Sequence, residues 1–269
     1  MAWQIIKHAF VLIFNNFNQA VKVSVAPMAL LVVLGLLLLP LSGLTFDVLV
    51  SGILQGNIEM DANENMTVAQ AFLVLLFAVL TLFVVGWIAV SWHRFILLEE
   101  YTNLLPAISG RPIWPYIGKS FFLGLTMVGI SIPVMLLLGV SLGQLLLSSE
   151  GSVFGEIIFG LLVTSIIGFF WFRLAVCLPA IAVGKDMTYG EAWSNTAPVA
   201  LIIFQVSVIS AAFNNIAPMA ANQLFSAVPG ITFIFLIIVN WVTMMVGVSV
   251  LTTLYGHLVE GRALAGSAE

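Results

Sequence analysis

The chain has 269 residues, 61% of them hydrophobic and only 7% charged, with a mean hydropathy of +1.16 and a formal net charge of −4. Soluble domains carry about 25% charged residues, so this composition excludes a soluble globular fold. Eight basic residues scattered over the whole length also exclude a nucleic-acid surface, which needs them gathered in one patch.

Residues 3–19 form an amphipathic pattern. Trp3, Ile6, Phe10, Ile13, Phe14 and Phe17 recur at steps of three and four, with Gln4, Lys7, His8, Asn15 and Asn18 on the opposing stripe. A Trp- and Phe-rich face beside sparse positive charge predicts a helix lying in the headgroup layer. The same pattern also allows a helix packed on the inner ends of a bundle. The stretch lacks the charge, uninterrupted apolar run and cleavage site of a signal peptide, so the first span is expected to act as an uncleaved anchor.

Six apolar runs follow, at about 23–44, 68–92, 120–147, 154–178, 197–217 and 230–256. At ~1.5 Å per helical residue, each is long enough to cross a hydrocarbon core of about 30 Å. Continuous apolar character excludes a β-barrel, whose strands alternate in polarity. The predicted fold is all-α, a single membrane domain over 1–269 with six transmembrane helices and an N-terminal amphipathic interfacial helix.

The first connection, about 45–67, is acidic, and its Asp61-Ala62-Asn63-Glu64-Asn65 run lacks the glycine and ligand ladder of a calcium loop. Thr67-Val68-Ala69-Gln70 is a capping box that opens the second span. Between the second and third spans, Pro112 and Pro115 speak against a regular helix across 111–116. Within the third span, Gly129 and Pro133 predict a kink, and Gly139 with Gly143 a face for close helix contact. Ser148 to Ser152 form a short turn, after which Glu156 suits the first turn of the fourth span. Thr188-Tyr189-Gly190-Glu191 is a second capping box, predicting a short surface helix before span five. The link 218–229 carries no charge.

When the polar stretches are numbered alternately, Lys7, Lys22, Arg94, Arg111, Lys119, Arg173, Lys185 and Arg262 all fall on one side. The opposite side carries only acids: Asp47, Glu59, Asp61, Glu64, Glu150 and Glu156. The positive-inside bias makes the basic side cytoplasmic, with both termini inside. Trp92-His93-Arg94 and Trp171-Phe172-Arg173 end the second and fourth spans, and a tryptophan follows each arginine, Trp114 and Trp193. This echo fits either a duplicated two-span unit or the ordinary preference of Trp and Arg for a cytoplasmic boundary.

The span interiors carry no ionisable residue, which removes the usual proton relay of a coupled transporter. Ser131, Ser141, Gln144, Gln205, Ser207, Ser210, Asn240 and Thr243 remain there, suited to hydrogen bonds between helices or to a polar path. The three histidines, His8, His93 and His257, fall at the inner boundary, so none is expected to be buried. With Glu99, Glu100 and Glu260 they lack the spacing of a metal motif, and neither a metal nor another cofactor is expected. There is no nucleophile elbow, P-loop or dinucleotide fingerprint, so the chain reads as no enzyme, with no catalytic residues. Cys177 reads as a small packing residue.

The Trp92-His93-Arg94-Phe95 ending, Arg173-Leu174 with Pro179, and Glu191-Ala192-Trp193 resemble uncharacterised bacterial six-span inner-membrane proteins. These are similar to the membrane domain that precedes the catalytic domain in some glycerophosphodiester phosphodiesterases. The resemblance covers most of the chain and implies a membrane module of the bacterial cytoplasmic (inner) membrane, with no active site carried over.

The expected function is a lipid- or protein-interacting module, with a small-molecule or lipid transporter as the alternative. Its expected partners are membrane lipids, anionic ones above all, and a membrane-protein partner or a second copy. Arg94, Arg173, Trp92, Trp171, Arg111, Lys119 and Lys185 are the candidate rim for anionic headgroups. Guanidinium forks would bind phosphate there and tryptophans frame the headgroup.

Overall fold

The computed structural model describes residues 1–42, 67–103, 105–143, 153–225 and 229–264. The acids Asp47, Glu59, Asp61, Glu64 and Glu150, the turn of Ser148 to Ser152, and Gln144 lie outside the described residues.

Every regular element among the described residues is helical. In chain order they are α1 (Ala2–Asn15), α2 (Phe17–Ser42), α3 (Val68–Leu98), α4 (Ile113–Leu138) and α5 (Val153–Ala175). After these come α6 (Cys177–Ala182), α7 (Tyr189–Thr196), α8 (Ala200–Phe225) and α9 (Pro229–Leu258). A π-helical turn, Gly139–Gly143, extends α4, and a 3-10 turn, Ala197–Val199, joins α7 to α8. Six stretches are long and apolar enough to cross a membrane: Phe17–Leu38, Val68–Leu98, Ile113–Leu142, Phe154–Ala182, Tyr189–Ala220 and Ile234–Leu258.

Local chemistry accounts for the starts. Thr67 and Gln70 form one capping box and Thr188 and Glu191 another, each with both arms made. Glu156 lies in the first turn of α5, where a carboxylate meets the positive end of the helix dipole. Two sequence-based boundaries need correction. The third span starts at Ile113 rather than near 120, because Pro112 is the N-cap and Pro115 lies in the first turn. No intrahelical N–H is lost in that turn, so both prolines open the helix instead of barring it. The fifth span continues through Pro218 to Phe225, so the expected link at 218 is helical.

Side by side, α3, α4, α5, α8 and α9 form a closed ring, with α2 outside against α3. Pro179 supplies no N–H for the Ala175 carbonyl, so α5 ends at Ala175 and α6 follows after Val176, which keeps a helical conformation, within one continuous span. All six residues of α6 are buried, and it packs against α3, α4 and α9 as a plug at the basic end.

Burial follows the same polarity. Along α3, Val68, Phe72, Leu75 and Val79 are exposed, whereas Val84 and Gly86 to His93 are buried. In α9, Ile234, Ile237 and Ile238 are exposed and Met245 and Val248 to Tyr255 are largely buried. The packed core thus occupies the basic half of the bundle. In the other half, apolar side chains point outward, which costs nothing where the surroundings are hydrocarbon.

A helix forms at the N-terminus, but it ends at Asn15 rather than 19, the first long helix starts at Phe17 rather than 23, and the faces are divided differently. Ala2, Ile5, Ile6, Ala9 and Ile13 are buried against α8 and α9, so small and aliphatic side chains make the contact. Trp3 and Phe14 point away, 66% and 58% exposed, while Phe17, the first residue of α2, packs edge-on against Trp241. The close contact expected at Gly139 is not made among the described residues. No described atom lies within 4 Å of where a Cβ on Gly139 would stand, and its neighbour Val140 is exposed.

Candidate functional site at the basic end

Arg94 sits one turn before the end of α3 and binds in two directions. Its Nε and Nη2 donate to both carboxylate oxygens of Glu100, at 3.0 and 2.5 Å, while Nη1 donates to the Ala182 carbonyl at 2.9 Å. Glu99 makes this possible by capping α3 in the left-handed region, φ 56°, which reverses the chain and returns Glu100 to the arginine. Arg111, following Gly110 at φ 72°, closes on the same carboxylate. The bond from Arg94, with Arg111 assisting, holds the Glu100 carboxyl below its usual range despite partial burial.

A second carboxylate performs the same task for the C-terminal tail. Glu260 accepts from Lys185 at 2.9 Å and from Arg262 at 2.8 Å. Burial pushes its pKa up, and the two cations together bring it below the ordinary value. Arg262 also donates to the Leu97 carbonyl at 2.7 Å, capping the C-terminal end of α3, and His257 Nδ1 donates to the Arg262 carbonyl at 2.9 Å. A cavity of about 220 Å³ opens between α1 and this tail, lined among others by His8, Leu12, Thr252, His257 and Arg262.

On the other side, α7 presents two rings one turn apart, each met by a cation from a neighbouring helix. Lys119 Nζ lies 4.7 Å from the Tyr189 ring centre, and the Tyr189 hydroxyl donates to the Lys119 carbonyl at 2.7 Å. The Arg173 guanidinium lies 3.4 Å from the Trp193 ring centre. Its Nη2 donates to the Trp193 carbonyl at 2.7 Å and its Nε to Thr196 at 3.1 Å. Arg173 is 6% exposed and no carboxylate pairs with it among the described residues.

Inside these links lies a polar core that the sequence pointed elsewhere. His93 is fully buried, not interfacial, because α3 runs on to Leu98 and carries it within the bundle. Its Nδ1 is 2.8 Å from the Thr252 hydroxyl and its Nε2 3.3 Å from the Tyr116 hydroxyl. Thr252 spends its only hydrogen on the Val248 carbonyl, so it must accept from His93. A neutral ring protonated at Nδ1 then accepts from Tyr116 at Nε2, and both nitrogens are satisfied. Trp92, also fully buried, donates to Ser249 at 2.9 Å, and Trp241 donates to Ser24 at 2.8 Å.

The residues anticipated as a headgroup rim are therefore not gathered into one open rim. Arg94 and Arg111 share Glu100, Lys185 binds Glu260, Lys119 and Arg173 lie on aromatic rings, Trp92 is inside the core, and Trp171 is half-buried. The two Trp-x-Arg endings also differ in surroundings. Trp193 covers Arg173, whereas Trp114 is 70% exposed and packs on Phe83.

Of the neutral polar residues anticipated as links between helices, four bond locally instead, whereas Ser249, Ser24 and Thr164 meet a neighbouring helix. Ser131 bonds to Val128, Ser141 to Leu137, Ser207 to Phe204 and Asn240 to Leu236, each on its own helix. Gln205 and Asn240 are exposed on the bundle surface. Among the described residues, no three His, Cys, Asp or Glu side chains gather as metal ligands. Ser249 and Thr252 escaped the sequence reading. The run of hydroxyls at 249, 252 and 253 near the inner end of the sixth span was the signal that marked them.

No known protein family, no characterised protein and no solved structure matches the chain.

Proposed function

We propose that the chain is a non-catalytic, multi-pass module of a bacterial cytoplasmic membrane that acts through contacts with lipids or with a membrane-protein partner. One observation carries this reading: the charged and hydrogen-bonding side chains of the basic end are engaged in joining the chain's own helices. The spans beyond that end present apolar side chains outward. This is the construction of a rigid base with a broad apolar surface. Headgroup contact at Arg94, Arg173, Arg111, Lys119 or Lys185 has to compete with those internal bonds, so the reading rests on the apolar surface and not on that rim. The likeness of the Trp92–Phe95 and Glu191–Trp193 segments to the membrane domain of glycerophosphodiester phosphodiesterases supports a module and brings no active site.

Both termini lie inside, by the one-sided placement of all eight basic residues. In this orientation α1 rests in the inner headgroup layer, aliphatic face on the bundle and aromatic face in lipid. Alkaline phosphatase fused after residue 65 is expected to be active and after residue 185 inactive. Activity at 185 reverses the topology. For the function itself, native purification followed by mass spectrometry is expected to recover bound phospholipid or a membrane protein in fixed stoichiometry. Solute or lipid uptake by the chain alone in proteoliposomes would establish the transporter instead.

A further inference from the structure

Six of the eight basic residues have partners within the chain, namely Glu100, Glu260 and the rings of Tyr189 and Trp193. Lys7 and Lys22 have no ion pair or ring partner among the described residues. Both belong to the N-terminal segment, and both stand among side chains that face outward.

Lys7, expected opposite the aromatic residues, is instead exposed on their side of α1: it lies four residues after Trp3 and seven before Phe14, which places all three on one helical stripe. Phe10 completes the stripe and stacks on Phe14, ring centres 6.1 Å apart. Lys22 stands five residues into α2. At ~1.5 Å per residue that is about 7.5 Å from the helix start, within the reach of a four-carbon stem that snorkels toward water. Its stripe continues through Val25, Ala29 and Val32, all exposed, along a helix long and apolar enough to span a membrane. A cation at the foot of a lipid-facing stripe meets phospholipid before it meets anything else.

We propose that Lys7, flanked on α1 by the exposed Trp3 and Phe14, and Lys22, at the foot of the exposed stripe of α2, bind the phosphates of anionic phospholipids in the inner leaflet and so seat α1 in that surface. The aromatic rings supply the amphipathic contact at headgroup level and the lysines the charge. With no carboxylate paired to them among the described residues, the two ammonium groups are matched by lipid phosphate. The proposal rests on the inward orientation given above and deepens the lipid-contact reading by naming the lipid class and its ligands.

The test uses the full chain in nanodiscs of mixed phosphatidylglycerol and phosphatidylcholine, with retained lipid counted by native mass spectrometry. Lys7→Gln and Lys22→Gln are each expected to lower phosphatidylglycerol retention about fivefold, and together roughly 25-fold, the effect of one basic residue near an anionic surface applied once and twice. Phosphatidylcholine retention and the thermal midpoint should stay as in the parent chain, since neither lysine has an ion pair or ring partner among the described residues. Unchanged phosphatidylglycerol in the double variant overturns the proposal, as does loss of a co-purifying protein with the lipid still bound. Labelling of a Lys7→Cys variant by an impermeant maleimide separates the two readings. Reaction in intact spheroplasts sinks the orientation, whereas the lipid count reports headgroup binding whichever way the chain is inserted.

Discussion

Replacing Trp92 with alanine is expected to destabilise the basic end by about 3–5 kcal/mol, the range for emptying a large buried aromatic site. The indole is fully buried between α3 and α9, and its Nε1 donates to Ser249 at 2.9 Å. Truncation removes both the packed volume and the bond, leaving a buried hydroxyl short of a donor. Reversible unfolding of the detergent-solubilised protein measures the loss. Trp114→Ala is the control, since that ring is 70% exposed and should cost below about 1 kcal/mol. Equal losses at the two positions would mean that Trp92 is an ordinary boundary tryptophan and that the core does not lie where burial places it.

That contrast also shows which parts of the molecule were legible in the sequence. The six spans were, because length and continuous apolarity are local properties that the bilayer enforces. Both capping boxes were, because Thr67 with Gln70 and Thr188 with Glu191 each complete their bonds within three residues. Helix ends near proline were not, since Pro112 and Pro115 have the same composition signature whether they start a helix or break one. His93 was misplaced for a related reason. Its neighbour Arg94 marks a boundary, yet the arginine is matched by Glu100, which the chain reversal at Glu99 brings back to it, and by the buried Ala182 carbonyl, while His93 stays inside. The partner of Arg94 at Ala182 is 88 residues away in sequence, and that of Trp92 is 157 away. Such pairings depend on how α6 plugs the ring, which no periodic pattern in the sequence announces. The expected rim failed on the same ground: residue type and side of the membrane were readable, but not which cations would be matched within the protein and which left for the lipid.

Arg173 gives the second large effect, and its variants separate three roles for one arginine. It is 6% exposed, lies against the Trp193 ring at 3.4 Å, and forks to the Trp193 carbonyl and the Thr196 hydroxyl. A desolvated cation–π contact contributes about 2 kcal/mol or more, and each hydrogen bond from a charged donor about 1.5–3 kcal/mol. These terms overlap, so Arg173→Gln is expected to cost about 3 kcal/mol in total. The loss should show as a lower unfolding midpoint and faster proteolysis across 183–199, the segment that α7 pins to α5. Arg173→Lys decides the cause. If the arginine serves only to fix orientation, lysine restores everything, because the positive-inside bias counts both alike. If it serves the stack and fork, lysine recovers little, since an ammonium has neither the planar face nor the paired donors. If it binds headgroups, anionic lipid retention falls in the glutamine variant while the midpoint holds. The expected result is a destabilised glutamine variant, poor rescue by lysine and unchanged lipid retention in the folded fraction. Full rescue by lysine would reduce Arg173 to a topology signal and leave α7 held by Lys119 with Tyr189 and by the stacking of Trp193 on Phe170.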